Sequence, residues 1–289
     1  MLKVRPCRDD PAMARERQRE LDINRVLAAA LGGSALGAVQ EGRYRTHDGR
    51  AVDWKNAVVA ARAAKSSLSP DAPLPERPRV PHPETRVGVA NETTLGASRR
   101  LADAGLRPLA LNFANGVEPG GGFLRGARAQ EETLCRSSAL IATLDGDPMY
   151  DAHRRQDAEA ASDWVILSPD VPVFRADDGT ALDRPWLLSF VTSAAPHAPS
   201  VGQPRSGDLL HARIHRVLAV AQAHGFDTLV LGAWGCGAFA NDPTRTALDF
   251  RSALEREFDG AFREIVFAIA DWSEERRFLA PFRDVFAKS

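Results

Sequence analysis

From about residue 85 onward the chain alternates short apolar runs with amphipathic stretches, and few architectures accept that pattern. The runs are Arg86 to Ala90, Pro108 to Phe113, Trp164 to Leu167, Trp186 to Val191, Thr228 to Ala233 and Ile265 to Ala270. Several are apolar almost throughout, as strands are when helices cover both faces of their sheet. Between them the spacing predicts helices over Thr94 to Ala104, Gln130 to Leu144, Asp208 to His224, Pro243 to Phe258 and Glu274 to Phe286. The alternation argues for an α/β fold, a mixed or parallel sheet sandwiched between helices.

The first 84 residues read differently. Pro11 to Gly32 is rich in Arg, Glu, Leu and Ala, which predicts a helix ending at the Gly32-Gly33 pair, and a second helix is expected over Trp54 to Lys65. Six prolines between Ser66 and Thr85 then oppose regular structure and favour an extended surface connection. The expected organisation is an N-terminal helical accessory region with its proline-rich connection, residues 1–84, and a main domain over 85–289. Lysine plus arginine (37) nearly cancel aspartate plus glutamate (38), so bulk charge announces neither a nucleic acid nor a membrane, and an anion must be gripped locally. Cys7, Cys135 and Cys236 are odd in number and far apart, which suits reduced thiols. The opening residues lack the apolar stretch of a secretory signal, and no later run approaches the roughly 18–20 apolar residues of a membrane helix. A soluble cytoplasmic protein, monomeric and without a membrane partner, is expected.

In sheets of this kind ligands bind beyond the carboxyl ends of the strands, where loops lead into helices and present N–H groups. Two loops stand out. The first follows LALNFAN and places Gly120, Gly121 and Gly122 in a row before Gln130, Glu131 and Glu132 at the start of a helix. Consecutive glycines serve a positive φ or a very close approach to the main chain, and a diphosphate is one ligand that makes such an approach. The carboxylates suit acid-base chemistry on that ligand, and they equally suit the positive end of a helix dipole. The second loop, LVLGAWGCGAFANDP, sets Gly235, Cys236, Gly237, Ala238 and Phe239 after the most hydrophobic run in the chain. It reads as a backbone anion cradle or as a tight β-α turn that needs glycine for steric reasons. No Gly-Lys-Ser/Thr follows either loop, so neither is a P-loop.

Other candidates carry less. His211 and His215 share a helix face without an intervening Glu or a third ligand, and read as ordinary helix histidines. His197, in TSAAPHAPS after a strand, has no role assigned. No convincing metal set is present and no cofactor is called for. Neither Cys135 nor Cys236 has a local base, which opposes a thiol nucleophile. Arg125 and Arg128 stand between the glycines and the glutamates, as polymer-phosphate ligands or as plain loop charges.

Together the two loops resemble the bacterial type of poly(ADP-ribose) glycohydrolase, a branch of the macrodomain superfamily. That family carries three glycines, a spacer of six to eight residues and Gln-Glu-Glu; here Gly120-Gly121-Gly122 precede Gln130-Glu131-Glu132 by seven residues. The resemblance runs nearly end to end, from DGRAVDWKNAVVAARAAKSSLSPD through VGVANETTLGASRRLADAG to GAWGCGAFANDP. It implies a macrodomain-like mixed sheet between helices with the N-terminal region as an accessory. The implied activity is hydrolysis of ribose-ribose O-glycosidic bonds in poly(ADP-ribose), releasing ADP-ribose in a DNA damage response, with poly(ADP-ribosyl)ated proteins as partners. Carried over by position, Glu132 is the catalytic acid/base and Glu131 positions ribose hydroxyls. Asn115 and Gln130 are further substrate ligands, and Gly235 to Phe239 holds the diphosphate, with Phe239 against the proximal ribose. In the same frame Glu92 and Thr93 are candidates at the adenine end, Thr94 is the expected helix N-cap, and both cysteines are packing or backbone positions. Protonating a departing glycosidic oxygen requires a raised carboxyl pKa, expected here at Glu132. A macrodomain that binds ADP-ribose without cutting it, and a hydrolase of mono-ADP-ribosylated targets, are the competing readings.

Overall fold

The computed structural model describes residues 1–76 and 81–287. Its strands are β1 (Leu2–Val4), β2 (Arg43–Arg45), β3 (Ala51–Asp53), β4 (Ser66–Leu68), β5 (Thr85–Ala90), β6 (Pro108–Ala114), β7 (Val165–Arg175), β8 (Ala181–Ala194), β9 (Thr228–Leu231) and β10 (Glu264–Ala268). The helices before β7 are α1 (Pro11–Leu21), α2 (Arg25–Glu41), α3 (Lys55–Ala64), α4 (Thr94–Asp103), α5 (Gln130–Ser137), α6 (Ile141–Leu144) and α7 (Pro148–Gln156). Those after β8 are α8 (Ala198–Val201), α9 (Arg205–Ala223), α10 (Pro243–Glu255) and α11 (Leu279–Ala287). A short 3-10 turn spans Phe123–Arg125.

Eight strands form one sheet in the order β1-β5-β10-β9-β6-β8-β7-β4, and β2 and β3 form a separate hairpin. From β1 to β8 every neighbouring pair is parallel, while β7 runs antiparallel to both β8 and β4. Alternate residues of each central strand enter two different cores. Leu109, Leu111, Leu229, Leu231, Ile265 and Phe267 pack with α9, α10 and α11 on one face. Ala110, Val230, Val266 and Ala268 pack with α4, α5 and α7 on the other. The near-continuous apolar runs thus reflect a sheet covered on both sides.

Several expected boundaries move, each for a local reason. The helix expected over Pro11 to Gly32 is two: α1 ends at Leu21, and Asn24 starts α2 by accepting the Leu27 N–H at 2.8 Å. α2 then runs through Gly32-Gly33 to Glu41, because Gly32 is a packing position: a Cβ there would lie 2.3 Å from the Phe123 carbonyl oxygen. The left-handed residue that ends the helix is Gly42, at φ +70°. The helix expected over Gln130 to Leu144 breaks at Ser138, whose extended backbone bridges Val173. α11 begins later than expected, since the Asp271 carboxylate accepts the N–H groups of Ser273, Phe278 and Leu279 and folds the intervening segment as a turn.

The first 84 residues do not stand apart from the sheet. β1 and β4 are its two edge strands, and Tyr44, Trp54 and Phe174 stack with ring centroids 4.7–5.4 Å apart, so the expected accessory region shares a core with the rest. Ser66–Leu68, at the head of the expected irregular connection, is strand, since the first proline comes only at Pro70. Part of that connection, 77–80, lies outside the described residues.

Candidate active site

A cavity of about 420 Å³ opens at the carboxyl ends of the parallel strands, lined by segments that follow β5, β6, β8, β9 and β10 and by the first turn of α5. Of the candidates at or near the chemistry, Asn115, Gln130, Glu131, Glu132, Gly235, Gly237, Ala238 and Phe239 line it, as do Glu92 and Thr93 farther along. Gly120, Gly121, Gly122 and Cys236 do not.

The three glycines make room for protein atoms. Gly120 and Gly121 have positive φ (+71° and +58°), and a Cβ on Gly121 would lie 2.4 Å from Glu132 Oε1 and 3.1 Å from Glu131 Oε2. Gly122 donates its N–H to Glu132 Oε1 at 3.0 Å. The triplet is therefore the floor on which both carboxylates rest, which corrects the expectation that it faces a phosphate. Gln130 is likewise spent on the fold: its Oε1 accepts the Phe113 N–H at 2.9 Å, and its Nε2 donates to Leu111 O at 2.7 Å and to Thr94 Oγ1 at 3.1 Å. It pins the start of α5 to the end of β6.

Glu131 and Glu132 are 3% and 8% exposed. Glu131 accepts the Asn115 N–H at 2.7 Å and the Asn112 side-chain amide at 3.2 Å. Burial drives its carboxyl up to about 8, with Glu132 adding to the rise and the Asn115 and Asn112 donors opposing it. Glu131 is thus neutral at pH 7. Glu132 is held by Oε1 alone, and its buried Oε2 has no partner among the described residues. An unpartnered carboxyl oxygen beside a neutral carboxyl, at the wall of a cleft, is equipped to exchange a proton with a bound oxygen.

Across the cleft, the loop after β9 supplies donors. Among the described residues the N–H groups of Gly235, Gly237, Ala238 and Phe239 meet no protein acceptor, which forms a cradle for an anion. Gly235 (φ +75°) is required, since a Cβ would lie 2.8 Å from both Ala195 Cβ and Asn241 Nδ2. Cys236 turns inward to Trp234 O and Thr246 Oγ1, at 3.5 and 3.6 Å, and burial pushes its thiol up to about 12. Burial also holds the Cys135 thiol well above its usual value, so neither serves as a nucleophile. The Phe239 ring meets His197 edge-on at 5.7 Å, and His197 is fixed by Glu159 at 3.0 Å. His197, which had no assigned role, props the aromatic wall.

The remaining candidates are redistributed. Asn115 Oδ1 accepts the N–H groups of Val117 and Glu118, both at 2.9 Å, shaping the turn as it lines the cavity. Glu92 is ion-paired with Arg8 at 2.9 Å and Arg100 at 2.7 Å. Thr93, rather than Thr94, caps α4 by accepting the Gly96 N–H at 2.8 Å, and its hydroxyl donates to Asp177. Arg125 pairs with Glu118, and Arg128 with Asp22 at 2.8 Å. His211 and His215 pair with Asp249 and Glu257, and no group of side chains able to hold a metal occurs among the described residues.

Sequence reasoning missed Asn112, Asp177, Trp272 and Phe278. Asn112 was findable, because a polar residue inside the buried LALNFA strand asks for a partner. Asp177 lies in the β7-β8 turn, where ADDGT signals only a turn; desolvation lifts its carboxyl to about 6. Trp272 and Phe278 reach the cavity only through the turn folded around Asp271.

The profile described as microbial-type PARG, catalytic domain, matches residues 33–176. The structure of poly(ADP-ribose) glycohydrolase from Thermomonospora curvata is 40% identical in sequence, superposes with a TM-score of 0.83, and aligns over 89% of this chain and 98% of its own. The chain belongs to the microbial-type poly(ADP-ribose) glycohydrolase family. The same Thermomonospora curvata enzyme bound to the inhibitor ADP-HPD matches at 39% identity with a TM-score of 0.81, over 89% of this chain and 98% of that one. A further glycohydrolase of this family, from Deinococcus radiodurans in complex with ADP-ribose, matches at 38% identity with a TM-score of 0.73, over 80% and 96%. No curated protein matches the chain. The mixed sheet between helix layers is the macrodomain-like fold expected of the microbial-type glycohydrolases.

Proposed function

We propose that this protein hydrolyses the ribose-ribose O-glycosidic bond of poly(ADP-ribose), with Glu132 as the group that exchanges protons. The observation that carries the reading is that Glu132, whose buried Oε2 has no partner among the described residues, lines the same cleft as four free N–H groups of the 235–239 loop. With a diphosphate on that cradle, the distal ribose falls between Asn115 and the two glutamates. Glu132 protonates the departing oxygen as the C–O bond of the distal ribose breaks. It then takes a proton from the water that adds to the oxocarbenium-like carbon, which restores the acid. Glu131, neutral and tied to Asn112 and Asn115, orients the ribose hydroxyls without adding a second negative charge beside Glu132.

A binding-only reading is disfavoured, because a passive anion site gains nothing from a desolvated carboxyl pair. We extend the proposal to poly(ADP-ribosyl)ated proteins as partners and to a cytoplasmic monomer acting in a DNA damage response. Three free cysteines are in keeping with a reducing compartment.

The test is incubation with defined poly(ADP-ribose) and, separately, with a mono-ADP-ribosylated peptide, with products read by mass. ADP-ribose released from polymer alone supports the reading, polymer bound but unchanged supports a reader, and release from the peptide points to a mono-ADP-ribosyl hydrolase. Glu132→Gln should lower turnover by about 10²–10⁴-fold with ADP-ribose affinity retained. Undiminished turnover would remove Glu132 from the role.

A further inference from the structure

His153 takes no part in the chemistry above, yet it is 1% exposed and its ring bonds to two segments that frame the site. It stands on α7, between the turn that follows β6 and the segment that enters β7. Its Nδ1 lies 2.8 Å from the Gly116 carbonyl oxygen, and its Nε2 meets Ser162 twice, the hydroxyl at 2.7 Å and the backbone N–H at 3.1 Å. These partners fix the proton. A carbonyl oxygen only accepts, so Nδ1 carries the hydrogen; a backbone N–H only donates, so Nε2 is bare.

The grip on Gly116 bears on the site through a single peptide link. Gly116 directly follows Asn115, which lines the cavity and whose N–H holds Glu131 Oε2 at 2.7 Å. Arg154, next along α7, donates to the following carbonyl, that of Val117. Two consecutive carbonyls of the turn are therefore held from one helix. The fit is close as well: a Cβ on Gly116 would lie 3.3 Å from Ala161 Cβ and Ala194 Cβ and 3.4 Å from His153 Nδ1.

We infer that His153 is a positioning residue for the reaction: as the neutral Nδ1–H imidazole it fixes the turn after β6, and with it Asn115 beside Glu131, and protonation of the ring releases that turn. The claim rests on the glycohydrolase reading above and deepens it. An imidazolium would set an Nε2–H against the Ser162 N–H, a backbone donor that cannot rotate away as a hydroxyl can. The surrounding charges act in the same sense. Arg213 of α9 opposes a positive ring, while the nearby carboxylates are committed elsewhere: Asp163 to Arg213 at 3.4 Å, Glu159 to His197, Asp151 to Arg154 and Glu118 to Arg125. Burial holds the imidazole below its ordinary range, with the Gly116 carbonyl opposing the fall and Arg213 adding to it, so release is confined to pH below that range.

The experiment uses the full chain. His153→Asn sets an amide N–H near the place of Nδ1 and keeps the grip on Gly116 without a titrating group, whereas His153→Gln reaches toward Ser162 and gives Gly116 up. Both remove the ring, so a loss that merely tracks stability should appear in both. At about pH 7.5 the Asn variant should release ADP-ribose from polymer within about threefold of wild type, and the Gln variant should lose about tenfold or more, the effect of misplaced groups at the chemistry. ADP-ribose affinity, set by the cradle on another loop, should hold within about threefold in both, as expected when positioning rather than binding is lost. Between about pH 7.5 and 4.5 wild type should lose turnover beyond what His153→Asn loses, and nitrogen-15 spectra of the histidine ring should place its hydrogen on Nδ1 at the upper pH. Equal losses in the two variants, a rate ratio of wild type to His153→Asn that is flat with pH, or a hydrogen on Nε2 would overturn the inference. A wild type with the Nδ1–H ring that releases nothing from polymer would instead defeat the glycohydrolase reading, so the two failures are distinct.

Discussion

Glu131 and Glu132 are neighbours in sequence and differ in role because the helix start turns them toward different partners. Glu131 reaches β6 and meets Asn112 and the Asn115 N–H, whereas Glu132 meets one N–H, from Gly122. Burial raises the Glu131 carboxyl to about 8 in the folded chain, above the ordinary glutamate value near 4.5. Between those values the folded protein keeps a proton that the unfolded chain has released, so this residue makes stability fall as pH rises through that window. Glu131→Gln removes the dependence. The free energy of unfolding in denaturant should shift in favour of the variant, relative to wild type, by about 2–4 kcal/mol between pH 5 and pH 8. A wild-type-to-variant difference that is flat with pH would show that Glu131 ionises normally.

At the scale of elements, α2 positions the site without lining the cavity. Its Gly32 lies against the Phe123 carbonyl, and Phe123 directly follows the Gly122 whose N–H holds Glu132. Gly33, one residue on, faces open space. Two neighbouring substitutions should therefore have opposite signs. Gly33→Ala should stabilise by about 0.5–1 kcal/mol through helix propensity. Gly32→Ala should destabilise by about 1–3 kcal/mol through overpacking and lower turnover as the 3-10 turn shifts. Thermal melts and polymer turnover of the pair check both, and equal effects at the two positions would contradict the packing.

At the scale of the whole molecule, Arg213 ties the outer helix layer to the site. It is fully buried in α9, donates to the carbonyls of Ala194 at 3.0 Å and of Ala160, and pairs with Asp163 at 3.4 Å. Ala194 ends β8 and precedes Ala195 in the cavity wall, so one guanidinium joins α9, the turn before β7 and the floor of the cleft. Burial lowers its pKa to about 10, which leaves it charged at neutral pH. Arg213→Met keeps the bulk and strands both carbonyls, and should cost about 2–4 kcal/mol in urea unfolding. A loss below about 0.5 kcal/mol would mean that water replaces the guanidinium.

The sequence alone determined the β-α alternation, the two loops that carry the site, and the glutamate pair with its glycine triplet. Each is written in local pattern: apolar runs for buried strands, glycine where the backbone must bend or be approached, and carboxylates at a helix start. Tertiary structure decided what those residues face. Gly121 admits two carboxylates where the sequence suggested a phosphate, Gln130 clamps β6 where a substrate was expected, and residues before 85 supply both sheet edges where a separate helical part was expected. It also brought in Asn112, Asp177, Trp272 and Phe278 from three separate segments of the chain. The physical reason is common to all: pattern records whether a residue is buried and which way the backbone turns, while the partner it meets there is set by which strands lie side by side.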